Sequence, residues 1–182
     1  MASDALYFYS KSKDVPPGKG THEIVRDASA YQTLASIPNW RQILSNFHVA
    51  PFQYEGRTYN SIEHVFQAKK IAIANPTMAT QFTVESGTIF GNGNGEIARK
   101  ARKLIVLSDD QLAAWDDIKD GVMERAAVAK YTACEEARQV LKATGSAQLW
   151  HIVMRGKPVR FEHLERIRSA LANTGQVVPP NA

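Results

Sequence analysis

The chain has 182 residues, 44% of them hydrophobic and 22% charged, and a formal net charge of +4. Its length and ordinary composition predict a single soluble globular domain over residues 1–182, with a proline-bearing tail at 174–182 that we expect to be frayed. The mild positive charge is compatible with a phosphate-rich substrate or DNA, and equally with proteins that bind neither.

Cysteine usage and hydropathy exclude several classes of protein. The one cysteine, Cys134, excludes an internal disulfide and a multi-cysteine metal site. No apolar run approaches the length of a membrane span, and no signal peptide is recognisable. We therefore expect a cytoplasmic protein with no metal, no cofactor and no membrane partner.

The first 24 residues predict a short strand followed by a basic loop. Residues 6–9 are apolar and aromatic, which is typical of a strand. Residues 10–20 carry lysines, prolines and glycines, and the backbone N–H groups of such glycines could approach a phosphate. The spacing is not that of a Walker A loop. The loop is therefore either a phosphate contact or a flexible basic segment.

The next segment predicts two helices separated by a hairpin. Residues 27–39 have a helical apolar rhythm that ends near Pro38. Residues 52–54 and 57–59 flank a Glu-Gly pair, the signature of a two-residue hairpin turn. Asn60, with Glu63 three residues later, predicts a capped helix from about residue 61 to 74, which ends before Pro76.

This helix carries a polar stripe between apolar flanks. Glu63, Gln67 and Lys70 follow the i, i+4, i+7 spacing and therefore share one face. The flanking apolar residues are Ile62, Val65, Phe66 and Ile73 on one side and Ile71 on the other. Such a stripe is typical of a helix that lines a pocket. The alternative is a surface Glu–Lys pair that contributes tenths of a kcal/mol.

The rest of the chain predicts mainly helices. Residues 76–84 favour a short helix, residues 85–96 a glycine-rich loop that could act as a lid, and residues 97–107 a helix with a basic face, solvated or phosphate-facing. Ser108 and Gln111 predict a capping box for a helix to about Tyr131. A helix from Thr132 to Gly145, a strand at 147–154 and a helix at 159–172 complete the chain. The predicted fold is α+β, helix-dominated, with a β-hairpin and a few short strands.

Several of these motifs together resemble the NADAR (YbiA-like) family. They are L-S-N-F at residues 44–47, the hairpin, and S-x-E-H-x-x-Q-A-x-K at residues 61–70. F-Y-S-K-S and P-G-K-G near the N-terminus and W-x-x-x-K-x-x-V-M from Trp115 are also similar to family segments. The resemblance covers most of residues 7–171.

The resemblance implies an N-glycosidase. Some members of the family cleave phosphoribosyl intermediates of riboflavin biosynthesis, and others remove ADP-ribose from guanine in DNA and so reverse a toxin. We expect the second, antitoxin-like hydrolase, with an ADP-ribosyltransferase toxin as functional partner. A glycine-rich segment of many YbiA-like members is missing at residues 155–160, which weakens the riboflavin alternative. A non-catalytic ADP-ribose-binding module is a further alternative, against which Glu63 and Lys70 together argue.

The resemblance and the chemistry of the bond also suggest roles for individual residues. Cleavage passes through an oxocarbenium-like state, and an amine can attack C1 of the ribose and hold it as a Schiff base. The resemblance makes Lys70 the nucleophile, with Lys69 as its rival, and we expect Glu63 to shuttle the proton. Predicted substrate-binding residues are Ser45, Asn46, Phe47, His64, Gln67, Lys11, Lys19, Gly20, Glu23 and Trp115. For Phe47 and Trp115, packing within the core is the alternative role, and for His64 it is capping a buried polar group.

Overall fold

The computed structural model describes residues 3–177. These residues form two compact units. One comprises the described residues up to Ser45 and from Glu135 onwards, and the other comprises Asn46–Cys134. Below they are called the terminal unit and the central unit. The single-domain prediction stays a prediction, and the part of the predicted frayed tail beyond residue 177 lies outside the described residues.

The fold is α+β, with nine α-helices and five strands among the described residues. The strands are β1 Ala5–Phe8, β2 Phe52–Tyr54, β3 Arg57–Tyr59, β4 Gln148–His151 and β5 Val159–Arg160. The helices are α1 Gln32–Ala35, α2 Trp40–Leu44, α3 Ile62–Ala72, α4 Pro76–Ala79, α5 Ile89–Asn92, α6 Gly95–Lys100, α7 Asp109–Ala133, α8 Glu135–Ala143 and α9 Glu162–Thr174. Within residues 3–177, no helix combines the length and apolar character needed to cross a membrane.

The terminal unit is built on a three-stranded sheet in the order β1-β4-β5. β1 runs parallel to β4, with Leu6 opposite Leu149, and β5 is antiparallel to β4. One face of β1 and β4 buries Leu6, Phe8 and Leu149 completely. The apolar faces of α8 and α9 add Leu141 and Leu164, so the sheet and these helices share one core.

The central unit is built around α3. This helix packs against α7, α4 and α6, and β2 and β3 form a separate two-stranded sheet beside them. The buried side of α3 carries Ile62, Val65, Ala68 and Ile71, which are at most 3% exposed. From α7, Trp115 and Val122 enter the same core. The stripe of polar residues on α3 is therefore held on a helix that is packed from several directions.

The structure corrects several predicted boundaries in the central unit. Ser61, not Asn60, caps α3, which runs from Ile62 to Ala72. The predicted loop at 85–96 contains a 3-10 turn, α5 and the start of α6, with Thr88 and Asn94 as caps. The predicted helices at 76–84 and 97–107 are each divided into a short α-helix and a 3-10 turn.

Other boundaries change in the terminal unit. Residues 28–35 form only a 3-10 turn and the short α1. α8 begins at Glu135 rather than at Thr132, which lies in α7. Val159 and Arg160 pair with β4 as a strand before the final helix begins. The hairpin, the capping box of Ser108 with Gln111, and the ends of α8 and α9 near the predicted residues are confirmed.

Candidate functional site

The start of α3 is fixed by local geometry. Glu55 and Gly56 both have positive φ (47° and 75°), as a two-residue turn of the hairpin requires. Ser61 then caps the helix by accepting a hydrogen bond from the backbone N–H of His64. The backbone N–H of Glu63 donates to the carbonyl of Asn46 at 3.0 Å. The loop before the hairpin is thus attached to the first turn of α3, and Glu63 lies beside it.

Glu63 is a buried carboxyl group that holds its proton unusually well. The residue is 8% exposed, and Gln67 Nε2 donates to its Oε1 at 2.7 Å. Burial raises the pKa of Glu63 to about 7, although the Gln67 bond and the charges of Arg99, Arg102 and Lys70 oppose the rise. A carboxyl that exchanges its proton near neutral pH suits general acid–base catalysis.

The two adjacent lysines of α3 have different surroundings. Lys69 forms an ion pair with Glu55, and its Nζ lies 5.4 Å from the centre of the Tyr54 ring. Lys70 is half-buried, and its ammonium has no hydrogen-bond or ion-pair partner among residues 3–177. It lies two turns after Glu63, roughly 10 Å along the axis, and its charge acts on that carboxyl. Lys69 is therefore bound to Glu55, whereas Lys70 is available to bind a substrate.

Two carboxamide oxygens near Glu63 are buried without a hydrogen-bond partner in the described chain. They are Asn46 Oδ1 and Gln67 Oε1, on residues that are 9% and 5% exposed. A buried acceptor with no donor destabilises the fold by about 1–3 kcal/mol. Unsatisfied buried acceptors are rare in folded proteins, and a role in a catalytic site is one explanation of such a pair.

Two arginines of the 95–103 segment belong to the same site. Gly95 allows α6 to approach Phe47 closely, since a Cβ there would lie 2.6 Å from the Phe47 Cα. One turn later, the Arg99 guanidinium lies 5.8 Å from the centre of the Phe47 ring. Arg99 and Arg102 both act on Glu63 electrostatically. The sequence alone did not decide whether this basic face is solvated or binds phosphate. The i, i+3 spacing of the two arginines was the feature of the sequence that could have indicated that they act together.

His64 and Trp115 occupy packed positions in the central unit. His64 is completely buried, its Nδ1 lies 2.7 Å from Ser61 Oγ, and burial lowers its pKa to about 4. Trp115 is 4% exposed and its ring meets Phe66 edge-on, with centroids 4.7 Å apart. The contact of His64 with Ser61 fits the alternative of capping a buried polar group, and the contact of Trp115 with Phe66 fits packing within the core. The substrate-binding roles of both residues stay predictions.

The remaining predicted residues lie in the terminal unit, where Glu23 has an unexpected environment. Its side chain is 0% exposed and forms an ion pair with Arg41 at 2.8 Å. The carboxylate also accepts hydrogen bonds from the backbone N–H groups of Tyr7, Gly18 and Gly20. The glycine N–H groups that we expected to approach a phosphate are therefore bound to Glu23. This corrects the prediction: Glu23 shapes the loop from within and is not exposed to a ligand.

The other predicted residues of the terminal unit are placed around this loop. A Cβ on Gly20 would lie 2.7 Å from the Glu23 carboxyl carbon, so glycine is needed there for close approach. Lys19 is exposed and lines a pocket, whereas Lys11 is exposed elsewhere. Ser45 is 1% exposed and ends α2, with its N–H bonded to the Gln42 carbonyl. Within residues 3–177, no cluster of His, Cys, Asp or Glu could hold a metal ion.

Comparisons with known proteins agree with this fold and with the motif on α3. The NADAR domain matches residues 36–155, which include the whole of α3. The solved NMR structure of the E. coli protein YbiA has 22% sequence identity and a TM-score of 0.54, over 94% of this chain and 87% of that chain. No curated protein gave a match. Since the family match covers more than half of the residues, the chain belongs to the NADAR family.

Proposed function

We propose that this protein is an N-glycosidase that hydrolyses the bond between ADP-ribose and guanine in DNA. The observation that carries the proposal is the face of α3 in the central unit. It presents a buried carboxyl with a pKa of about 7 and, within residues 3–177, an amine without a partner. Within the same described residues, the carboxamide oxygens of Gln67 on this helix and of Asn46 in the preceding loop are unpaired. Family membership supports glycosidase chemistry in general.

In the proposed reaction, the amine of Lys70 is the nucleophile and the carboxyl of Glu63 is the general acid. The ammonium group of Lys70 first gives a proton to water. The resulting amine attacks C1 of the ribose, and the electron pair of the breaking C–N bond goes to the guanine nitrogen. Glu63 gives its proton to that nitrogen, so guanine leaves as a neutral base. The ribose ring opens as the amine forms a Schiff base, and water hydrolyses the Schiff base to release ADP-ribose and restore the lysine.

The polar and charged groups nearby match the rest of the proposed substrate. In this proposal, the oxygens of Asn46 and Gln67 accept hydrogen bonds from ribose hydroxyls, which supports the choice of a sugar-bearing substrate because both oxygens are unpaired within residues 3–177. Arg99 and Arg102 add positive charge beside Glu63, as a diphosphate requires. These charges also limit how far burial raises the Glu63 pKa. A polyphosphate bound to them would offset their charge and so favour the protonated carboxyl at the moment it acts as an acid.

A trapping experiment tests this function. The protein is mixed with an oligonucleotide bearing ADP-ribosylated guanine, borohydride is added, and the adduct is mapped by mass spectrometry. We expect ADP-ribose on Lys70 and release of unmodified DNA, with both lost in Lys70→Ala. Lys69→Ala is the matched control, since it removes the neighbouring lysine, and it should keep both signals.

Other outcomes of the same experiment would change the proposal in defined ways. Release without an adduct in the wild-type protein would replace the Schiff base by direct attack of water, assisted by Glu63. Binding of ADP-ribose with no release, unchanged in Lys70→Ala, would indicate a non-catalytic reader. With neither adduct nor release, the ADP-ribosyl substrate is wrong, and phosphoribosyl intermediates of riboflavin biosynthesis become the next substrates to test.

A further inference from the structure

A basic pocket lies wholly within the terminal unit, and no residue of α3 lines it. It encloses about 320 Å³. Its polar and charged lining comes mainly from Tyr7, Tyr9, Lys13, Lys19, Thr21 and Arg41. Pockets near 300 Å³ are at the small end of the range for ligand sites. The space therefore suits one group of a larger ligand rather than a whole nucleic acid segment.

The charges around this pocket are not balanced. Arg41 is neutralised by Glu23, whose side chain is completely buried behind the loop. Lys13 and Lys19 are exposed, and within residues 3–177 neither ammonium has a hydrogen-bond or ion-pair partner. The lining therefore carries two uncompensated positive charges, together with hydroxyl groups that can donate hydrogen bonds to an anion.

The loop that presents these lysines is held in place before any ligand arrives. The Arg41 guanidinium donates to the carbonyls of Val15 and Pro16, and the Glu23 carboxylate binds the N–H groups of Gly18 and Gly20. A buried ion pair with this many hydrogen bonds fixes both sides of the loop. Little conformational entropy is then lost when the loop binds an anion.

The aromatic wall of the pocket is also fixed. Tyr7 stacks on Trp150 across the β1–β4 pair, with ring centroids 6.0 Å apart and an angle of 11° between the planes. The Ser12 hydroxyl accepts the N–H of Tyr9 at 2.9 Å and thereby closes the turn after β1. We infer that this pocket binds a phosphate group of a nucleotide or a nucleic acid through Lys13 and Lys19, with Glu23 and Arg41 as positioning residues.

Two sources of phosphate share this chemistry: the diphosphate of ADP-ribose and the backbone of a DNA strand. Calorimetric titration with ADP-ribose and, separately, with an unmodified single-stranded oligonucleotide distinguishes them. The test variant is Lys13→Ala with Lys19→Ala. The matched control is Lys142→Ala with Lys157→Ala, which removes two exposed lysines of the same unit that do not line the pocket. Thermal unfolding checks that both variants remain folded.

We expect the test variant to bind one of the two ligands about 30-fold or more weakly, since two charge-assisted contacts are lost, and the control to bind both as the wild type does. Weakening for ADP-ribose assigns the pocket to the diphosphate, and weakening for the oligonucleotide assigns it to the DNA backbone. Equal affinities of the test variant and the wild type for both ligands, or equal losses in the control, would overturn the inference.

The identity of the nucleotide in this inference rests on the proposed function, but the phosphate site does not. The titrations use ligands that contain no ADP-ribosyl–guanine bond, so they need no turnover. If the trapping experiment fails while the test variant alone loses affinity, the glycosidase proposal is wrong and the phosphate site stands. If trapping succeeds while the titrations show no difference, the glycosidase proposal stands and the phosphate site is wrong.

Discussion

Replacing Glu63 by glutamine should stabilise the folded protein at alkaline pH while strongly lowering the proposed N-glycosidase activity. Burial raises the pKa of this carboxyl from 4.5 to about 7. The contribution of the protonated carboxyl to the free energy of unfolding is therefore fully present below pH 4.5, and it is lost as the pH rises through 7. A shift of this size corresponds to about 3 kcal/mol, since each tenfold change in proton affinity is about 1.4 kcal/mol. Glutamine has nearly the same shape and never ionises.

The magnitude can be read from urea unfolding at two pH values. The stability advantage of Glu63→Gln over the wild type should grow by about 2–3 kcal/mol between pH 5 and pH 8, because most of the titration lies in that window. Asp117→Asn, which neutralises an exposed carboxylate of α7 in the same unit, should follow the wild type at both pH values. Removal of a general acid should meanwhile lower turnover about 10²–10⁴-fold.

Parallel pH dependences of wild type and Glu63→Gln would refute this reasoning. They would mean that Glu63 ionises as easily in the folded as in the unfolded chain, and that it is not the poised acid. A gain in stability with full activity would contradict the proposed role but not the burial. The two readouts together therefore separate the electrostatics of the residue from its function.

Four further substitutions, the last of them a control, test other features of the central unit. Lys69→Ala should lose less than about 1 kcal/mol of stability, since its ion pair is largely exposed, and a loss of turnover comparable to that of Lys70→Ala would contradict the assignment of the two lysines. Ser61→Ala should destabilise the fold by about 2 kcal/mol in chemical denaturation, because it removes the N-cap and the partner of the buried His64 imidazole. An effect below about 0.5 kcal/mol would show that the cap is dispensable. Gly95→Ala should cost about 1–3 kcal/mol because its Cβ would overlap Phe47, whereas Gly121→Ala, within α7, should stabilise by up to about 1 kcal/mol.

Features that depend on neighbouring residues could be predicted from the sequence. The hairpin follows from alternation around a Glu-Gly turn, and the capping box of Ser108 needs only Gln111 three residues later. The polar stripe of α3 was predicted for the same reason, because helical spacing alone brings Glu63 and Gln67 within hydrogen-bond distance. These are interactions between residues at most seven positions apart.

Features that depend on distant contacts could not be predicted. Asn60 has the composition of a cap, but its side chain donates to the carbonyl of Gly93, and Ser61 caps the helix instead. The glycines at 91 and 95 suggested a loop, yet they occur in helical turns where other backbone atoms approach too closely for a Cβ. Glu23 carries no signal in the sequence that its partner is Arg41, 18 positions away.

The parallel pairing of β1 with β4 has a consequence for how the protein is made. Ala5 pairs with Gln148, so β1 has no partner strand in its sheet until the ribosome has reached residue 148. At translation rates of about 5–20 residues per second, the ribosome needs roughly 7–30 s to reach that partner. The segment 46–134 is continuous and can complete its own core during this interval. The nascent chain thus carries β1 as an unpaired apolar strand, which makes this interval the one in which a chaperone would most affect the yield.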